Sequence, residues 1–341
     1  MLRIFSLCIT VLSINTVIAQ STLSESPSVS LKNETISEIQ TASTTKDVNV
    51  LSWNISGDAF IKEPALFKSL VERSRPDILL LDEVTDKANE AQLQKALQAS
   101  NVHDQSNWHM SFGVSGGRQR TVIASRYPIE PLIEFQRIVA YPNLDKARLK
   151  ELIIKDGELK YAQSLDSGIS VNGAIIITEN KRLLVVSLDL ECCGNYPSSW
   201  EEDKRRVEAR EIRKQIKRVI QRVQVDGIIV AGDLNLVSTV KPLVIISGPY
   251  EKPHSGLIAA DLTHIDKRQT WTWDGRGTKF PSRVLDLVIY SPTSLKLNSG
   301  YIFNPELLSL EAQQSLKLSG KKLEKIFSHL PLLTKFSWNV E

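Results

Sequence analysis

Apolar runs of strand length alternate with helix-like segments through most of the chain. Val48–Asn54 and Pro76–Glu83 each predict a buried strand, and the segment from Pro64 to Arg73 predicts a helix between them. The longest helical pattern, Trp200–Val223, leads into an apolar run at 227–235 that predicts another buried strand. This alternation indicates an α/β protein.

The same criteria predict further elements around these. A helix is expected from about Asp86 to Gln98, and strands are expected at Trp108–Phe112, Val122–Ser125, Leu132–Val139, Glu151–Ile154, Ala174–Thr178, Leu183–Leu190 and Val284–Tyr290. No internal repeat and no Pro/Gly/Ser-rich linker interrupts the sequence of residues 48–341, so this stretch is predicted to be one domain.

The strand predicted at 227–235 ends in two polar residues. Because side chains alternate along an extended chain, Asp233 and Asn235 can face one pocket while Leu234 returns to the core. Ligands of α/β proteins commonly bind at the carboxyl ends of strands. Asp and Asn after a strand are also typical of a simple turn, in which they cap backbone groups. This stretch therefore fits two interpretations. One is a metal or phosphate site, and the other is a simple turn.

The first 47 residues differ from the rest. A basic start precedes the apolar run Ile4–Leu12, and small or apolar residues precede Gln20, so residues 1–19 are predicted to be a secretory signal peptide. An uncleaved anchor is the alternative. Residues 20–47 are rich in Ser, Thr and Glu and lack apolar periodicity, which predicts a disordered leader. The mature protein is therefore expected to be secreted or periplasmic, without a transmembrane helix.

Composition and charge narrow the function classes only slightly. Of the 341 residues, 42% are hydrophobic and 24% are charged, which is ordinary for a globular protein. The 42 Lys and Arg residues nearly balance the 39 Asp and Glu residues, leaving a net charge of +3. A broad nucleic-acid-binding surface is therefore not indicated by overall charge.

The cysteines exclude a disulfide framework and a zinc site of the usual spacing. Cys8 lies in the predicted signal peptide, which leaves Cys192 and Cys193 side by side. Two interpretations fit the pair. They are either small, partly buried residues on a loop or a strained vicinal disulfide in an oxidising compartment.

Five short motifs place polar residues at the ends of apolar runs, in the order Trp53-Asn54, Asp82-Glu83, Gly232-Asp233-Leu234-Asn235, Leu285-Asp286 and Ser328-His329. Each motif alone fits a turn, a helix cap or a packed histidine. Together and in this order they resemble the endonuclease/exonuclease/phosphatase (DNase I-like) family. That family includes secreted deoxyribonucleases, exonuclease III-like repair enzymes, neutral sphingomyelinases and inositol-phosphate phosphatases. The resemblance extends from about Val48 to Leu333.

The resemblance implies a four-layered α/β sandwich, in which two packed, mainly antiparallel β-sheets are flanked by helices. It also implies a divalent-metal site at one end, where Glu83 is the principal ligand of Mg²⁺ (or Mn²⁺). A hard cation of this kind prefers carboxylate oxygens and retained waters, which agrees with that role. Asn54 would contact the scissile phosphate or a metal-bound water.

Four further residues take roles by the same resemblance. Asp233 would orient the attacking water, and Asn235 would hold a phosphate oxygen. Asp286 would pair with His329, whose imidazole would act on the phosphate or as a general base. An aspartate beside a histidine sets its tautomer and stabilises the imidazolium, so the pairing makes chemical sense.

Two positions depart from the family pattern. Asp189 stands where many members have a histidine, and an ionised aspartate cannot donate to a phosphate oxygen. It is expected either to be an added metal ligand or to orient Arg118 or Arg120, the candidate substrate-binding cations, toward the phosphate. Ser328 stands where the family commonly has aspartate, so the metal would depend more on Glu83.

These residues predict a secreted, monomeric, metal-dependent phosphohydrolase. The most direct interpretation is a phosphodiesterase or nuclease that uses metal-activated water and the Asp286–His329 pair. The alternatives are a non-catalytic binding protein on the same fold, and a lipid or sugar phosphate hydrolase of the sphingomyelinase or phosphatase type. DNA, RNA, lipid and sugar phosphates are all open as substrates.

Overall fold

The structure is a computed structural model, and it describes residues 46–56, 59–98, 108–250, 254, 256–318 and 323–339. The predicted signal peptide (1–19) and nearly all of the predicted leader (20–47) lie outside these residues. Within the described ranges, no helix has the length and apolar character needed to cross a membrane.

The described residues contain twelve strands and nine α-helices. The strands are β1 (Val48–Asn54), β2 (Ile78–Thr85), β3 (His109–Phe112), β4 (Gln119–Ser125), β5 (Ile129–Pro131), β6 (Ser170–Thr178), β7 (Lys181–Asp189), β8 (Gly227–Asp233), β9 (Ile258–Ala259), β10 (Asp286–Tyr290), β11 (Leu295–Ile302) and β12 (Leu332–Trp338). The helices are α1 (Ala59–Lys62), α2 (Pro64–Ser74), α3 (Glu90–Gln98), α4 (Asn143–Lys155), α5 (Leu159–Ser164), α6 (Trp200–Arg222), α7 (Lys241–Ser247), α8 (Leu310–Ser315) and α9 (Leu323–Ile326).

The strands form two six-stranded sheets. The first has the order β11-β12-β1-β2-β4-β3 and the second has the order β5-β6-β7-β8-β10-β9. Each contains one parallel pair, β1 with β2 and β7 with β8, and its other neighbours are antiparallel. The predicted fold class, two packed and mainly antiparallel sheets flanked by helices, is confirmed.

Strand β8 shows how the layers are held together. Ile229 and Ala231 belong to the core that includes the first sheet, whereas Ile228 and Val230 belong to the core shared with α4 and α6. Successive side chains of a strand point to opposite faces, so an uninterrupted apolar run is required when both faces are covered. The apolar run that predicted this strand is the signature of its double burial.

Strand register brings the polar ends of both sheets to one side. Asn54 lies beside Asp82 in the parallel pair β1–β2, and Asp233 lies beside both Asp189 and Asp286 in the second sheet. His329 lies three residues before the start of β12, which pairs with β1. Residues far apart in the sequence therefore meet at one edge.

Two predicted strands are wrong. Glu151–Ile154 lies inside α4, where Leu149 and Ile153 are buried at the i, i+4 spacing of one helix face. Leu132–Val139 forms turns, and Leu132, Phe135 and Val139 are buried at spacings of three and four, not two. Strands β11 and β12 were not predicted either; β12 pairs with β1, and β11 pairs with β12.

Candidate active site

A glycine sets the end of β8. Gly232 has φ +133, and a Cβ at this position would lie 1.9 Å from the backbone oxygen of Leu188 on β7. The chain then turns at Asn235, which has φ +48, and the backbone N of Asn235 donates to Asp233 Oδ1 at 2.8 Å. The two interpretations of this stretch, a turn and a functional site, are therefore compatible, because Asp233 uses Oδ1 for the turn and keeps Oδ2 for other partners.

A bulge in β2 presents Glu83. The register with β4 shifts between Leu81 and Val84, and Glu83 has φ +55, a left-handed conformation that is costly for a residue with a side chain. The Glu83 carboxylate accepts from Asn54 Nδ2 at 2.9 Å and from Gln119 Nε2 at 3.1 Å. No local feature of the sequence marks Gln119, which starts β4.

Asn54 joins the two sheets at this edge. It is buried, and its Nδ2 donates to Glu83 Oε1 and, at 3.3 Å, to Asp233 Oδ2. Its Oδ1 accepts from the backbone N of Ser56 at 3.0 Å. The Ser56 hydroxyl lies 2.9 Å from that of Ser328, the position where the sequence departs from the family's aspartate.

His329 and Asp286 form the predicted pair. His329 Nδ1 lies 2.9 Å from Asp286 Oδ2 and 3.6 Å from Asp233 Oδ2. Asp286 Oδ2 also accepts from Thr272 Oγ1 at 2.6 Å, and that hydroxyl accepts from the backbone N of Leu285 and of Asp286. Thr272 was not predicted from the sequence.

The charges around His329 set its protonation. Burial alone would lower the pKa of His329, but the charges of Asp286 and Asp233, with the hydrogen bond to Asp286, raise it from 6.5 to about 10. Burial raises the pKa of Asp233 to about 7, assisted by the charge of Asp286 and opposed by His329. At neutral pH the imidazole is therefore protonated, and a carboxyl with a pKa near neutrality lies beside it.

Five carboxyl groups from both sheets meet at this edge: Asp82, Glu83, Asp189, Asp233 and Asp286. Asp82 is fully buried, and neither of its carboxylate oxygens has a hydrogen-bond partner among the described residues. Burial and then the charges of the other four groups raise its pKa well above 3.8. Unpartnered oxygens within such a concentration of negative charge fit a hard divalent cation.

Two sets of donors are available for this cation. Oxygen and nitrogen atoms of Asp233, Asp286 and His329 all lie within 4.8 Å of one another. Asp286 and His329 already bond to each other, however, whereas the half-buried Glu83 carboxylate borders an open cavity where a cation would keep its waters. The donor chemistry therefore favours Glu83 over the His329 group.

The cavity at this edge has a volume of 870 Å³, within the range of small-ligand sites. Its lining includes three of the five carboxyl groups, those of Glu83, Asp189 and Asp233, and four cations, Arg118, Lys160, Lys204 and Arg283. Arg283 was not predicted, and its Nη1 donates to the backbone oxygen of Val237 at 2.6 Å. Trp273 and Phe280 supply aromatic surface on the same wall.

The structure does not bring every predicted residue to the site. Arg120 Nη2 donates to the backbone oxygens of Thr85 and Ala88, and its guanidinium lies 5.7 Å from the Phe112 ring centre, away from the cavity lining. Alternation along β4 gives the reason, since the preceding Gln119 takes the face toward Glu83. The expected Asp189–Arg120 orientation is therefore not formed.

Asp189 and Asn235 both line the cavity. Burial and then the charge of Glu83 raise the pKa of Asp189 well above 3.8. Among the described residues no ion pair joins Asp189 to Arg118, although both line the cavity. Asn235 Nδ2 donates to the backbone oxygen of Leu190 at 2.9 Å.

The chain belongs to the endonuclease/exonuclease/phosphatase family, whose model matches residues 51–315. Members of this family hydrolyse phosphate esters and generally depend on divalent metals, so the chain is a phosphate-ester hydrolase. No curated protein sequence matches it.

Solved structures have the same fold at low sequence identity. An endonuclease/exonuclease/phosphatase from Beutenbergia cavernae DSM 12333 is 17% identical with a TM-score of 0.51, covering 86% of this chain and 72% of that one. The human Nocturnin catalytic domain with bound sulfate anion is 14% identical with a TM-score of 0.53, covering 86% and 95%. TDP2 from C. elegans is 16% identical with a TM-score of 0.52, covering 85% and 75%.

Proposed function

We propose that the chain is a secreted phosphodiesterase, most simply a nuclease, that uses Mg²⁺ or Mn²⁺. The observation that carries the proposal is the cluster of five carboxyl groups, one of them hydrogen-bonded to His329, of which Glu83, Asp189 and Asp233 line an open cavity together with His329. Glu83, assisted by Asp189 and the unpartnered Asp82, would hold the cation. Bound there, the cation would polarise a phosphoryl oxygen and neutralise developing charge.

The pKa values divide the proton chemistry between two residues. Because the pKa of His329 is raised to about 10, its imidazolium donates a hydrogen bond from Nε2 to a phosphate oxygen rather than acting as a base. Asp233, with a pKa of about 7, orients the attacking water and accepts its proton. A base with this pKa is half ionised near neutral pH, where it is most effective.

Asn54 and Asn235 differ in how many side-chain amide hydrogens remain for a substrate. An amide nitrogen carries two hydrogens, and those of Asn54 are directed at Glu83 and Asp233. Asn54 therefore positions these two carboxylates. Asn235 uses one hydrogen for Leu190 and keeps the other for a phosphate oxygen.

An anionic substrate fits the sides of the cavity. Arg118, Lys160 and Arg283 line the cavity together with its acidic residues, and these cations are suited to bind phosphates next to the scissile bond. The sulfate bound by the human Nocturnin catalytic domain is consistent with anion binding on this fold. Trp273 and Phe280 offer surfaces on which bases can stack.

Hydrolysis of bis(p-nitrophenyl) phosphate with Mg²⁺ or Mn²⁺ tests the proposal. Glu83→Gln should weaken Mn²⁺ binding measured by calorimetry and abolish turnover, and His329→Gln should lower kcat by about 10²–10³. Glu151→Gln, an exposed residue on α4, is the matched control. Activity that neither substitution changes would refute the catalytic site as proposed, and absence of activity in the wild type would favour a non-catalytic binding protein.

A lipid phosphate is the second candidate substrate. Tyr161 lines the cavity and is 42% exposed, and Leu159, two residues before it on α5, is 58% exposed, so apolar surface is exposed on this helix. A panel of DNA, RNA, sphingomyelin and phosphorylated sugars separates the candidates. Faster turnover of sphingomyelin vesicles than of DNA would replace the nuclease assignment.

Secretion and a monomeric state belong to the same proposal. Ile4–Leu12 and the small residues before Gln20 support cleavage of a signal peptide. Amino-terminal sequencing of protein from the culture medium should begin at Gln20, and light scattering should give the mass of a single chain.

A further inference from the structure

Cys192 and Cys193 lie between the end of β7 and α6, and the proposed chemistry does not use them. Both are free and exposed, and their Sγ atoms lie 2.7 Å apart. They line the same cavity as Glu83 and His329. A pair of thiols therefore stands at the mouth of the candidate active site.

The backbone places both thiols on one side. In an extended chain adjacent side chains point in opposite directions, but Cys193 has φ +68, which breaks that alternation. The fully buried Arg205 holds this conformation, because its Nη1 donates to the backbone oxygens of Glu191 and Cys193 at 2.8 Å each. Ser238 Oγ donates to the oxygen of the next residue, Gly194, at 2.7 Å.

The two thiols differ chemically. The hydrogen bond from Cys192 lowers the pKa of Cys193 to about 7, and the nearby Arg205 charge acts in the same direction. The same hydrogen bond, followed by burial, raises the pKa of Cys192. Cys193 is thus suited to attack as a thiolate and Cys192 to act as the resolving thiol.

We propose that Cys192 and Cys193 form a reversible dithiol–disulfide site whose oxidant is a low-molecular-weight disulfide. Cys193 Sγ attacks one sulfur of the reagent and releases the other half as a thiolate, leaving a mixed disulfide. Cys192 gives up its proton and attacks Cys193 Sγ, which breaks the mixed disulfide and releases the second thiolate. Two protein thiols are oxidised and one reagent disulfide is reduced to two thiols.

Reversibility follows from the spacing of adjacent residues. Neighbouring Cα atoms are about 3.8 Å apart, below the range of about 4.4–6.8 Å usual for disulfides. A bridge between them is strained, and strained bridges are reduced more readily than structural ones.

The bridge would act on the active site through a short path, an effect that rests on the proposed function. The residues before the pair, Leu190 and Glu191, are tied to the site. Leu190 O accepts from Asn235 Nδ2, and the Glu191 amide donates to Glu208 Oε2 at 2.8 Å. Closing the ring reorients the 192–193 peptide and displaces Asn235, so oxidation lowers turnover.

The test uses the full chain carrying Cys8→Ser, treated with oxidised glutathione. Intact mass should fall by two hydrogens, and peptide mapping should place the bridge within one peptide. Cys192→Ser should instead keep a stable glutathione adduct on Cys193. Two unreacted thiols, a persistent adduct on the chain that retains both cysteines, or a disulfide-linked dimer would overturn the proposal.

Activity is measured on the same samples. Oxidation should lower phosphodiester turnover by about tenfold or more, because small displacements of positioning groups are costly, and dithiothreitol should restore it. The Cys192→Ser/Cys193→Ser variant should not respond. Unchanged turnover in the bridged enzyme would refute the coupling to Asn235. Absence of turnover in both forms would refute the proposed function and leave the mass measurement to decide the thiol chemistry.

Discussion

The replacement Asp286→Asn tests the division of proton chemistry between His329 and Asp233. Asp286 is the strongest of the charges that raise the pKa of His329. The shift from 6.5 to about 10 means that the site stabilises the imidazolium form by about 5 kcal/mol relative to a histidine in water. Asparagine keeps the shape of the side chain and removes its charge. We therefore expect the pKa of His329 to fall toward its ordinary value of 6.5.

The size of the effect follows from the fraction of protonated histidine. In the wild type nearly all of His329 is protonated at pH 8, whereas a group with a pKa of 6.5 would be only about 3% protonated. Because Asp233 still contributes charge, this limit gives the largest expected loss, about thirtyfold in kcat/KM at pH 8 for the variant relative to the wild type.

The assay is the pH dependence of kcat/KM for a phosphodiester from about pH 5 to pH 10, together with the NMR titration of His329. The alkaline limit should move to lower pH in Asp286→Asn and should stay in place in the exposed control Asp266→Asn. An alkaline limit that does not move, while the NMR pKa falls, would show that imidazolium is not the active form of His329.

Three further predictions test the site and its support. Asp82→Asn should raise Tm at pH 8 in the absence of divalent metal. Burial raises the pKa of Asp82 in the folded protein, so the folded state loses stability as pH rises above 3.8, and asparagine removes this loss. Calorimetry should also show that the variant binds Mn²⁺ more weakly. Gly232→Ala should lower the free energy of unfolding in urea by more than about 3 kcal/mol, because the added Cβ would meet the backbone oxygen of Leu188. Gly277→Ala is the control: this glycine has φ +78 but open space around it, so the substitution should cost only about 1 kcal/mol. Equal costs would refute the close approach of Gly232 to Leu188. Arg118→Gln should raise KM for a diester severalfold and Arg120→Gln should leave KM unchanged, since only Arg118 lines the cavity; a reversed result would contradict this placement.

Much of the fold was accessible from local pattern. The run at 227–235 is strongly apolar because its strand is covered on both faces, and both this run and the β-rich segment Val48–Asn54 were predicted at nearly their observed bounds. Leu132–Val139 and Glu151–Ile154 failed because short apolar runs do not distinguish strands from turns and helices. Strand β12 was missed, although it pairs with β1 and places His329.

In the candidate site, too, some residues were predicted from the sequence and others were not. Asn54, Glu83, Asp233, Asp286 and His329 were nominated by short motifs in a particular order, and the structure brings their side chains together; their catalytic roles stay predictions.

Two other contributors, Gln119 and Thr272, carry no local signal. Gln119 bonds to Glu83 only because a bulge in β2 turns that residue, and Thr272 orients Asp286 from a segment 14 residues away. Arg120 looked equivalent to Arg118 in the sequence, yet strand alternation directs it elsewhere.

The amino-acid sequence by itself determined the alternation of strands and helices, the order of the polar motifs and the family, because these depend on neighbouring residues and their spacing. Only the tertiary structure decided which carboxyl groups face one another across the two sheets. The high pKa of His329, the unpartnered oxygens of Asp82 and the thiols at the cavity mouth result from that meeting. Burial and electrostatic interaction depend on distances through space, and these exist only once the sheets have packed.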